Sequence, residues 1–568
     1  MLFAGLHNTG TISSAALVAD GKLVAAMAEE RLDRRKHSKY FPHRALQGCL
    51  DLVGKTLSDV DTFAIGWNPA LNIAERYRAG FSEWPAYPGE RFYANPNQLL
   101  PRLQPEGLVA TDQVFQQADG GCVTLTYVNH HLCHAANAFY LSGLKEAAIF
   151  CCDGYGERST TLWGTAGPEG IETRRTIEFP HSIGAFYSAI TEFLGYAPDG
   201  DEWKIMGAAA YGDPSPFRAA MAELIRPEED GGFSLALDYF DHFNFDSRGF
   251  FSEKVTDVLG KPPEGPEDDR FFDLAAAAQE RLEAILFHCL THARETTGAT
   301  ALCYAGGVAM NSLFNGKLTA SGLFDDVFIP FSPDDSGNAL GAALWAANRA
   351  GEPVAMKRRD LTSFLGRAFD DKEIKAALDR TGLAYETLQD PASTAADLLA
   401  DGQVVGWFQG RSEFGQRALG ARSILADPRN PETKDRVNLA IKYREAFRPF
   451  APSVPVEDAE RFFELPPGAS VPFMERVFPV REAARSALPA IVHADGTARL
   501  QTVSEETQPL YHRLLKRVEE KTGFPVVLNT SFNLNGEPIV DAPEDAIRTF
   551  MTSGMNSLIM GHQLLRKA

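Results

Sequence analysis

Two histidines four residues apart, His130 and His134 in Asn-His-His-Leu-Cys-His-Ala-Ala (129–136), are the residues whose types and spacing speak most directly of chemistry. On a helix, positions i and i+4 share a face, so two imidazoles so placed can hold one metal ion. A carboxylate follows at Asp153, in Cys-Cys-Asp-Gly-Tyr-Gly-Glu, and another far downstream at Asp335, in Pro-Asp-Asp-Ser-Gly-Asn-Ala-Leu-Gly. Imidazole and carboxylate together form a mixed nitrogen and oxygen donor set suited to iron, manganese or zinc. The same histidine spacing also serves packing and capping, and the spacing alone does not choose.

A second chemistry is suggested at Ala305-Gly306-Gly307-Val308-Ala309-Met310-Asn311, which follows the strand-like run Ala301 to Tyr304. A strand entering a Gly-Gly turn and then a helix suits phosphate, because glycines admit the anion to the backbone and N–H groups at the helix start face it. Basic clusters at Arg34-Arg35-Lys36 and at Arg444 and Arg448 suit small phosphorylated ligands, or a solvated face.

The elements that must position these groups read as α/β. Leu2 to His7, Ser14 to Val18, the Asp20-Gly21 turn and Leu23 to Met27 form strands and a hairpin. A similar unit comes later: the strand Ala148 to Cys152, the Gly-rich turn Asp153 to Gly156, then Thr160 to Trp163, which suggests a duplicated architecture. Apolar periodicity predicts a helix over 271–296. Polar and basic residues between Ala347 and Leu361 read as a domain linker, and strands recur at Val404 to Phe408 and Val526 to Leu528. The reading is one domain over 1–352, a linker at 353–362 and a smaller α/β domain over 363–568, since one core rarely serves 568 residues.

The formal net charge of −20 argues against nucleic acid as the main partner. No apolar run reaches the roughly 18 residues of a membrane span, and the N-terminus reads as no signal peptide. Seven cysteines, with Cys151 and Cys152 adjacent in an apolar run, argue against a disulfide framework and for a reducing cytoplasm.

Taken together, the motifs resemble the nodulation-type and antibiotic O-carbamoyltransferases, the group that includes tobramycin carbamoyltransferase. The resemblance runs nearly end to end. It is carried by Ala28-Glu29-Glu30-Arg31 with Arg35-Lys36-His37, by the His130 to Ala136 run, by Asp153-Gly154-x-Gly156-Glu157 and by Lys204-Ile205-Met206-Gly207. Gly306 to Asn311, Asp335-Ser336-Gly337, Gly410-Arg411-x-Glu413-x-Gly415-x-Arg417, Lys442-x-Arg444-Glu445-x-x-Arg448 and Leu528 to Asn533 continue it.

The resemblance implies a duplicated actin-like first domain (acetate and sugar kinase/actin superfamily) and a YrdC-like second. It implies that the second takes carbamoyl phosphate and ATP, releases phosphate and pyrophosphate and forms carbamoyl adenylate. The first then passes the carbamoyl group to a hydroxyl of a small natural product or sugar, as in antibiotic biosynthesis, beside a divalent metal. The metal, Fe(II) first with Mn, Zn or Mg as alternatives, would rest on His130, His134, Asp153 and Asp335. Lys204, Gly207, Gly306, Gly307 and Asn311 would line a nucleotide pocket, with Lys36 and His37 as phosphate or carbamoyl contacts. A homodimer is compatible with this reading, and neither nucleic acid nor membrane enters it.

The chemistry of the second domain points the same way. Carbamoyl phosphate and ATP together carry many negative charges, and guanidinium forks suit phosphate oxygens. Arg417, Arg422, Lys442, Arg444, Arg448 and Arg499 would supply that charge, and Asn529 and Ser531, just after a strand, could hydrogen-bond phosphate or the carbamoyl amide. One departure concerns the acceptor: where the family has a His-Asp pair before Ser-Ala-Ala-Leu, this chain has Thr11-Ile12-Ser13. His7 is the nearby histidine that could stand in for it. The competing readings are a threonylcarbamoyl-adenylate or tRNA-modification enzyme, an HxxxH metallopeptidase, which would want Glu where His131 stands, and a non-catalytic actin-like nucleotide-binding regulator.

Overall fold

The computed structural model describes residues 1–9, 12–68, 109–116, 120–244, 249–354, 356–445, 447–466 and 468–567. Thr11, at the position where the family's His-Asp pair is replaced, lies outside them. The chain forms two compact units, both α/β, and a single cut does not separate them. Unit 1 comprises Met1–Ala26, Lys39–Met310 and Ser321–Leu361; unit 2 comprises Met27–Ser38, Asn311–Ala320 and Thr362–Ala568.

Unit 1 is built twice on one plan. Its first sheet contains β1 (Leu2–His7), β2 (Ser14–Ala19), β3 (Lys22–Ala28), β4 (Thr62–Ile65), β5 (Ala110–Gln116) and β6 (Cys122–Val128), in the order β3-β2-β1-β4-β6-β5. The β2–β3 connection is Asp20-Gly21, both with positive φ (50° and 72°), as a two-residue hairpin turn requires. β1 runs antiparallel to β2 and parallel to β4, β4 runs parallel to β6, and β5 adds an antiparallel edge. The second sheet contains β7 (Ala147–Cys152), β8 (Ser159–Gly167), β9 (Gly170–Glu178), β12 (Ala301–Ala305) and β13 (Asp326–Phe328). Between these lies a separate short hairpin, β10 (Ile225–Pro227) with β11 (Phe233–Leu235). The second sheet's order is β9-β8-β7-β12-β13, again an antiparallel meander followed by two parallel strands. The duplication suggested by the two hairpins is thus a duplication of sheet topology. β7 is buried along its whole length, which is why it reads as an unbroken apolar run.

Three helices organise the interior of unit 1: α1 (His130–Ser142), α2 (Arg270–Thr297) and α3 (Asn338–Arg349). Asn129, between β6 and α1, caps α1 by accepting from Leu132 N at 2.9 Å. α2 ends at Gly298 in the left-handed conformation (φ 69°), the usual glycine stop. α3 packs against both α1 and β1. These approaches leave no room for side chains: a Cβ at Gly341 would stand 1.9 Å from Cys133 O, and one at Gly5 would stand 1.8 Å from Ala339 O. The polar stretch after α3 is held rather than loose, since Arg358 donates to Ser142 O (3.1 Å) and pairs with Asp326 (3.0 Å). Among the described residues no helix is long and apolar enough to cross a membrane.

Unit 2 rests on one nine-stranded mixed sheet: β14 (Glu386–Thr387), β15 (Val405–Phe408), β16 (Arg422–Ala426), β17 (Ala451–Pro455), β18 (Arg476–Pro479), β19 (Thr497–Val503), β20 (Val527–Ser531), β21 (Ser557–Met560) and β22 (Gln563–Arg566). Their order is β14-β22-β21-β15-β16-β20-β17-β19-β18. Alternation puts Val405 and Trp407 in a core with α4 (Pro391–Ala400) and α5 (Pro509–Thr522), and Phe408 in the larger core that includes Ile547 and Phe550 of α6 (Pro543–Met551).

The early segment 27–38 belongs here because its arginines reach backbone carbonyls of this unit. Arg31 donates to Glu413 O and, at 2.7 Å, to Gly415 O, while Arg34 donates to Ile539 O (2.7 Å) and Pro538 O (3.0 Å). The stretch 311–320 belongs for a similar reason: Asn315 donates to Glu475 O at 2.8 Å, and a Cβ at Gly316 would stand 1.9 Å from Val477 O.

Gly341→Ala should lower the unfolding free energy by about 1–3 kcal/mol or more through overpacking, measured by denaturant titration. Gly167→Ala, whose added Cβ would have its first neighbour at 3.5 Å, should change little.

Candidate metal centre and cationic cluster

The N-terminal turn of α1 delivers His130 and His134, the end of β7 delivers Asp153, and the turn before α3 delivers Asp335. Donor atoms of these four residues all lie within 4.8 Å of one another. Asp153 Oδ2 stands 2.8 Å from His134 Nε2 and 3.2 Å from His130 Nε2, and the two Nε2 atoms are 3.1 Å apart. Asp335 Oδ1 stands 3.4 and 3.5 Å from the same two nitrogens.

Burial is the largest influence on each of the four groups and opposes charge. It is outweighed. The Asp335 carboxylate and then Asp153 lift His130 well above the ordinary imidazole range, and hydrogen bonds to Asp153 and Asp335 lift His134. Asp335 falls well below the usual carboxylate range beside His130, and Asp153 falls too beside the two histidines. The field of this pocket favours positive charge.

The donor chemistry fits a metal ion. Three polar atoms, two ring nitrogens and a carboxylate oxygen, meet at 2.8–3.2 Å, and no placement of protons satisfies all three contacts, because nitrogens that both donate to the carboxylate cannot also bond each other. Donors bound to a small divalent ion at about 2.1 Å stand roughly 3.0–3.4 Å apart, which matches these separations. Two carboxylates would also balance a divalent charge.

Residues around the centre fix it. Glu157, buried, accepts from Asn68 N (2.6 Å), His130 N (3.0 Å) and Asn129 Nδ2 (3.1 Å), so it anchors the start of α1 with the charge sign that a helix N-terminus favours. His131 turns away, its Nδ1 3.2 Å from Ser159 Oγ, and burial with the neighbouring His130 and His134 pushes it down to about 3, so it stays neutral. His7 is fully buried with Nε2 3.8 Å from Asp335 Oδ2 and its ring 5.7 Å from that of His130, which places the one nearby histidine of the N-terminal strand at the centre. Trp67 meets His130 edge-on at 5.4 Å. Asn338, the first residue of α3, brings its amide to 3.2 Å from His134 Nε2. The sequence offered a handle on Glu157 through its Asp-Gly-x-Gly-Glu motif; nothing singled out Asn338, whose place results from the α1–α3 approach.

Unit 2 carries the opposite charge pattern. Lys442 is buried and donates to Ser531 O, to Ser531 Oγ (3.2 Å), to Asn533 O (3.0 Å) and to Asn533 Oδ1 (2.8 Å). Burial, then Arg444, Lys36 and Arg448, push its ammonium well below the ordinary lysine range. Arg444 lies over the Phe450 ring at 4.7 Å, donates to Asn438 Oδ1 at 2.7 Å, and is pushed down to about 9 by burial and Arg448. Arg499 is pushed well down by burial, Arg417 and Arg444. Arg448 pairs with Glu445 at 2.6 Å. Arg444, Lys36 and Arg448 thus act on Lys442, and Arg417 and Arg444 act on Arg499.

Arg422, Asn529 and Ser531 have other engagements. All three guanidinium nitrogens of Arg422 donate to backbone carbonyls, among them Gln409 O (3.0 Å), Arg367 O (3.2 Å) and Asp541 O (3.3 Å), with the guanidinium 3.6 Å above the Phe408 ring. Asn529 Nδ2 is shared by Gln501 Oε1 (3.0 Å), Ser453 Oγ (3.1 Å) and Ala418 O (3.2 Å). Ser531 accepts from Lys442 and donates to Asn533 Oδ1 at 2.7 Å. His37, with φ 55°, donates its backbone N–H to Glu30 at 2.8 Å.

The remaining positions are spread over both units. In unit 1, Lys204 pairs with Asp201 at 2.8 Å and lies 4.6 Å over the Tyr196 ring, on the helix Glu202–Ala208 that also holds Gly207. Gly306 (φ 94°) passes close to Cys152, and a Cβ on Gly307 would stand 2.8 Å from Asp153 Oδ1, so the Gly-Gly turn abuts a metal-centre carboxylate. Asn311, in unit 2, accepts from Phe314 N at 3.0 Å and so caps the helix Ser312–Ser321.

Two sheets of one repeated order make unit 1 a duplicated α/β unit that carries the two-histidine, two-aspartate cluster, and unit 2 is a second α/β unit. The chain belongs to the carbamoyltransferase family: residues 5–344 match the carbamoyltransferase N-terminus and residues 396–567 the carbamoyltransferase C-terminus. It is a carbamoyltransferase. Nodulation protein NolNO of Sinorhizobium fredii is 40% identical over 98% of this chain and 78% of its own length. Nodulation protein NolO of Bradyrhizobium diazoefficiens is 42% identical over 78% of this chain and 79% of its own. Among solved structures, the activator of the 2-hydroxyisocaproyl-CoA dehydratase from Clostridium difficile, with bound ADPNP, is 13% identical over 62% of this chain and 96% of its own, with a TM-score of 0.34.

Glu157→Ala should destabilise the fold by about 1–3 kcal/mol, since it strands buried donors at the start of α1. Urea unfolding of the metal-free protein measures this without interference from the ion.

Proposed function

We propose that this chain is an ATP-dependent O-carbamoyltransferase that works in two steps, one in each unit. The observation that supports this most is the set of cations around the buried Lys442 in unit 2, where burial and then Arg444, Lys36 and Arg448 push its ammonium well below the ordinary lysine range. Such a group is costly without an anion, and a polyphosphate beside a carbamoyl phosphate supplies one.

In unit 2, hydrolysis of carbamoyl phosphate would give carbamate and phosphate. A carbamate oxygen would then attack the α-phosphorus of ATP, breaking its bond to pyrophosphate and leaving carbamoyl adenylate. Lys442, Arg417, Arg444, Arg448 and Arg499 would neutralise the charge that gathers in that transition state, with Lys36 and His37 nearby in the same unit. Anion binding would also restore the depressed ammonium of Lys442. Arg422 would hold the Gln409-Gly410 loop rather than touch phosphate, as its donors are already given to carbonyls. The fold would be YrdC-like in this role.

In unit 1, the oxygen of a small-molecule hydroxyl would attack the carbamoyl carbon, the bond to AMP would break, and the hydroxyl proton would leave. A divalent ion on His130, His134, Asp153 and Asp335, iron in our reading, would supply Lewis acidity toward a carbonyl or phosphate oxygen. Glu157 and Asn129 hold the helix that presents the histidines, and Gly307 keeps backbone against Asp153. The Gly306-Gly307 turn and Lys204 would serve the nucleotide.

Pyrophosphate release from ATP by the purified protein, without acceptor, should require carbamoyl phosphate. Lys442→Ala should cut that release by about 100-fold or more. His130→Ala, or removal of the ion by a chelator, should leave release within about twofold of wild type and abolish carbamoylation of acceptor. Pyrophosphate release that disappears with His130→Ala while Lys442→Ala retains it would overturn the division of labour.

A further inference from the structure

We propose that His493 recognises the NH2 group of carbamoyl phosphate through its ring Nε2, while Arg499 holds the phosphate; this rests on unit 2 binding carbamoyl phosphate for adenylate formation. His493 stands in the turn that leads into β19. Its backbone N–H donates to Thr497 O at 2.8 Å, and its carbonyl accepts from Gly496 N at 3.0 Å. The alternation of β19 puts Thr497, Arg499 and Gln501 on one face of the sheet. Gln501 pairs in register with Ser453 of β17, and its Oε1 accepts from Asn529 of β20 at 3.0 Å. Two residues past Asn529, and so on the same face, Ser531 Oγ accepts from Lys442 at 3.2 Å. One polar row thus runs from His493, held by Thr497, through Arg499 to Lys442.

The hydrogen on the imidazole can be placed. Thr497 Oγ1 donates its one hydrogen to Asp495 Oδ1 at 2.7 Å, so toward His493 Nδ1, 3.1 Å away, it can only accept. Nδ1 therefore carries a hydrogen. Burial pushes the ring down to about 4, against Asp495 and together with Arg499 and Lys434, so near neutral pH there is no second one. That leaves Nε2 with a bare lone pair. It is buried and has no hydrogen-bond partner among the described residues. Nε of Arg499 is buried and unpartnered too.

These two needs select a ligand. Arg499 offers donors to an anion. Nε2 is only an acceptor, and phosphate oxygens, acceptors themselves, cannot satisfy it. Carbamoyl phosphate answers both in one small molecule: it carries an anion and, one carbon and one oxygen removed from phosphorus, an NH2 that donates. Acetyl phosphate has the same shape with a methyl in that place. A site built to take an N–H discriminates sharply against an analogue without it, because the buried acceptor then stays unpaired. The cations attract any phosphate, and the imidazole reads the carbamoyl end.

The test measures pyrophosphate release from ATP by the full-length protein without acceptor, as kcat/KM for carbamoyl phosphate, with acetyl phosphate and inorganic phosphate as inhibitors. His493→Phe keeps a ring and removes the acceptor, so it should lower kcat/KM by about tenfold or more. Inhibition by acetyl phosphate and by inorganic phosphate should stay within about twofold of wild type, since neither uses Nε2. Loss of all three in parallel would mean that His493 only orients Arg499, and an unchanged kcat/KM would mean that Nε2 meets no substrate; either overturns the proposal. Should His493→Phe fail to fold, Thr497→Val decides: it leaves the ring and Arg499 in place, and takes away the acceptor that keeps the hydrogen on Nδ1. It should lower kcat/KM for carbamoyl phosphate by about threefold or more with inhibition by acetyl phosphate unchanged, and an unchanged kcat/KM again overturns the proposal. Wild-type protein that releases no pyrophosphate with carbamoyl phosphate overturns the adenylation reading itself, whereas release by wild type with any of the contrary results above removes His493 alone.

Discussion

Backbone-to-backbone contact between α1 and α3 is the constraint on which the two-histidine, two-aspartate cluster depends. Gly341 lets α3 lie against the Cys133 carbonyl, in the turn of α1 that presents His130 and His134. Only at that range can Asp335, just before α3, come to 3.4 Å from His130, and Asn338, at its start, to 3.2 Å from His134, about 200 residues earlier in the chain. β1 enforces the approach from another side, since Gly5 admits the Ala339 carbonyl. The centre is thus assembled from separate elements by helix and strand packing, and each donor is rigid because the backbone that carries it is buried.

The two sites solve the problem of buried charge in opposite ways. In unit 1, carboxylates and imidazoles compensate one another, and their donor atoms fit an ion of matching charge. In unit 2, cations outnumber the acids beside them, and Lys442 is held by backbone and side-chain oxygens of Ser531 and Asn533. In an acidic protein of net charge −20 these cations are a local exception to the overall charge.

Much of this was legible in the sequence because it is local. The helix expected over 271–296 is α2, Arg270–Thr297, and the run from Ala301 is β12, because apolar periodicity and a Gly-Gly stop are properties of neighbouring residues. The Asp20-Gly21 turn and the repeated hairpin were equally local signals, and the second hairpin led to the duplicated sheet. The histidine pair was visible through its spacing. What escaped was non-local. Asn338 has no spacing relation to His134. The engagement of Arg422 with carbonyls depends on how the loops at Arg367, Gln409 and Asp541 converge, and a sequence shows only that a cation is present. The stretch after α3 reads as linker by composition, yet Arg358 ties it to Ser142 and Asp326.

The guanidinium groups of Arg31 and Arg34 have a consequence for how this polypeptide can be divided. A fragment beginning at Thr362 would retain every strand of the nine-stranded sheet, yet the carbonyls of Glu413, Gly415, Pro538 and Ile539 would lose the donors that Arg31 and Arg34 bring from the start of the chain. It would also lack the helix whose Gly316 nestles against Val477. The second half is therefore no autonomous module in the genetic sense. A scission into independent proteins would have to carry two distant patches of the first half along with the second.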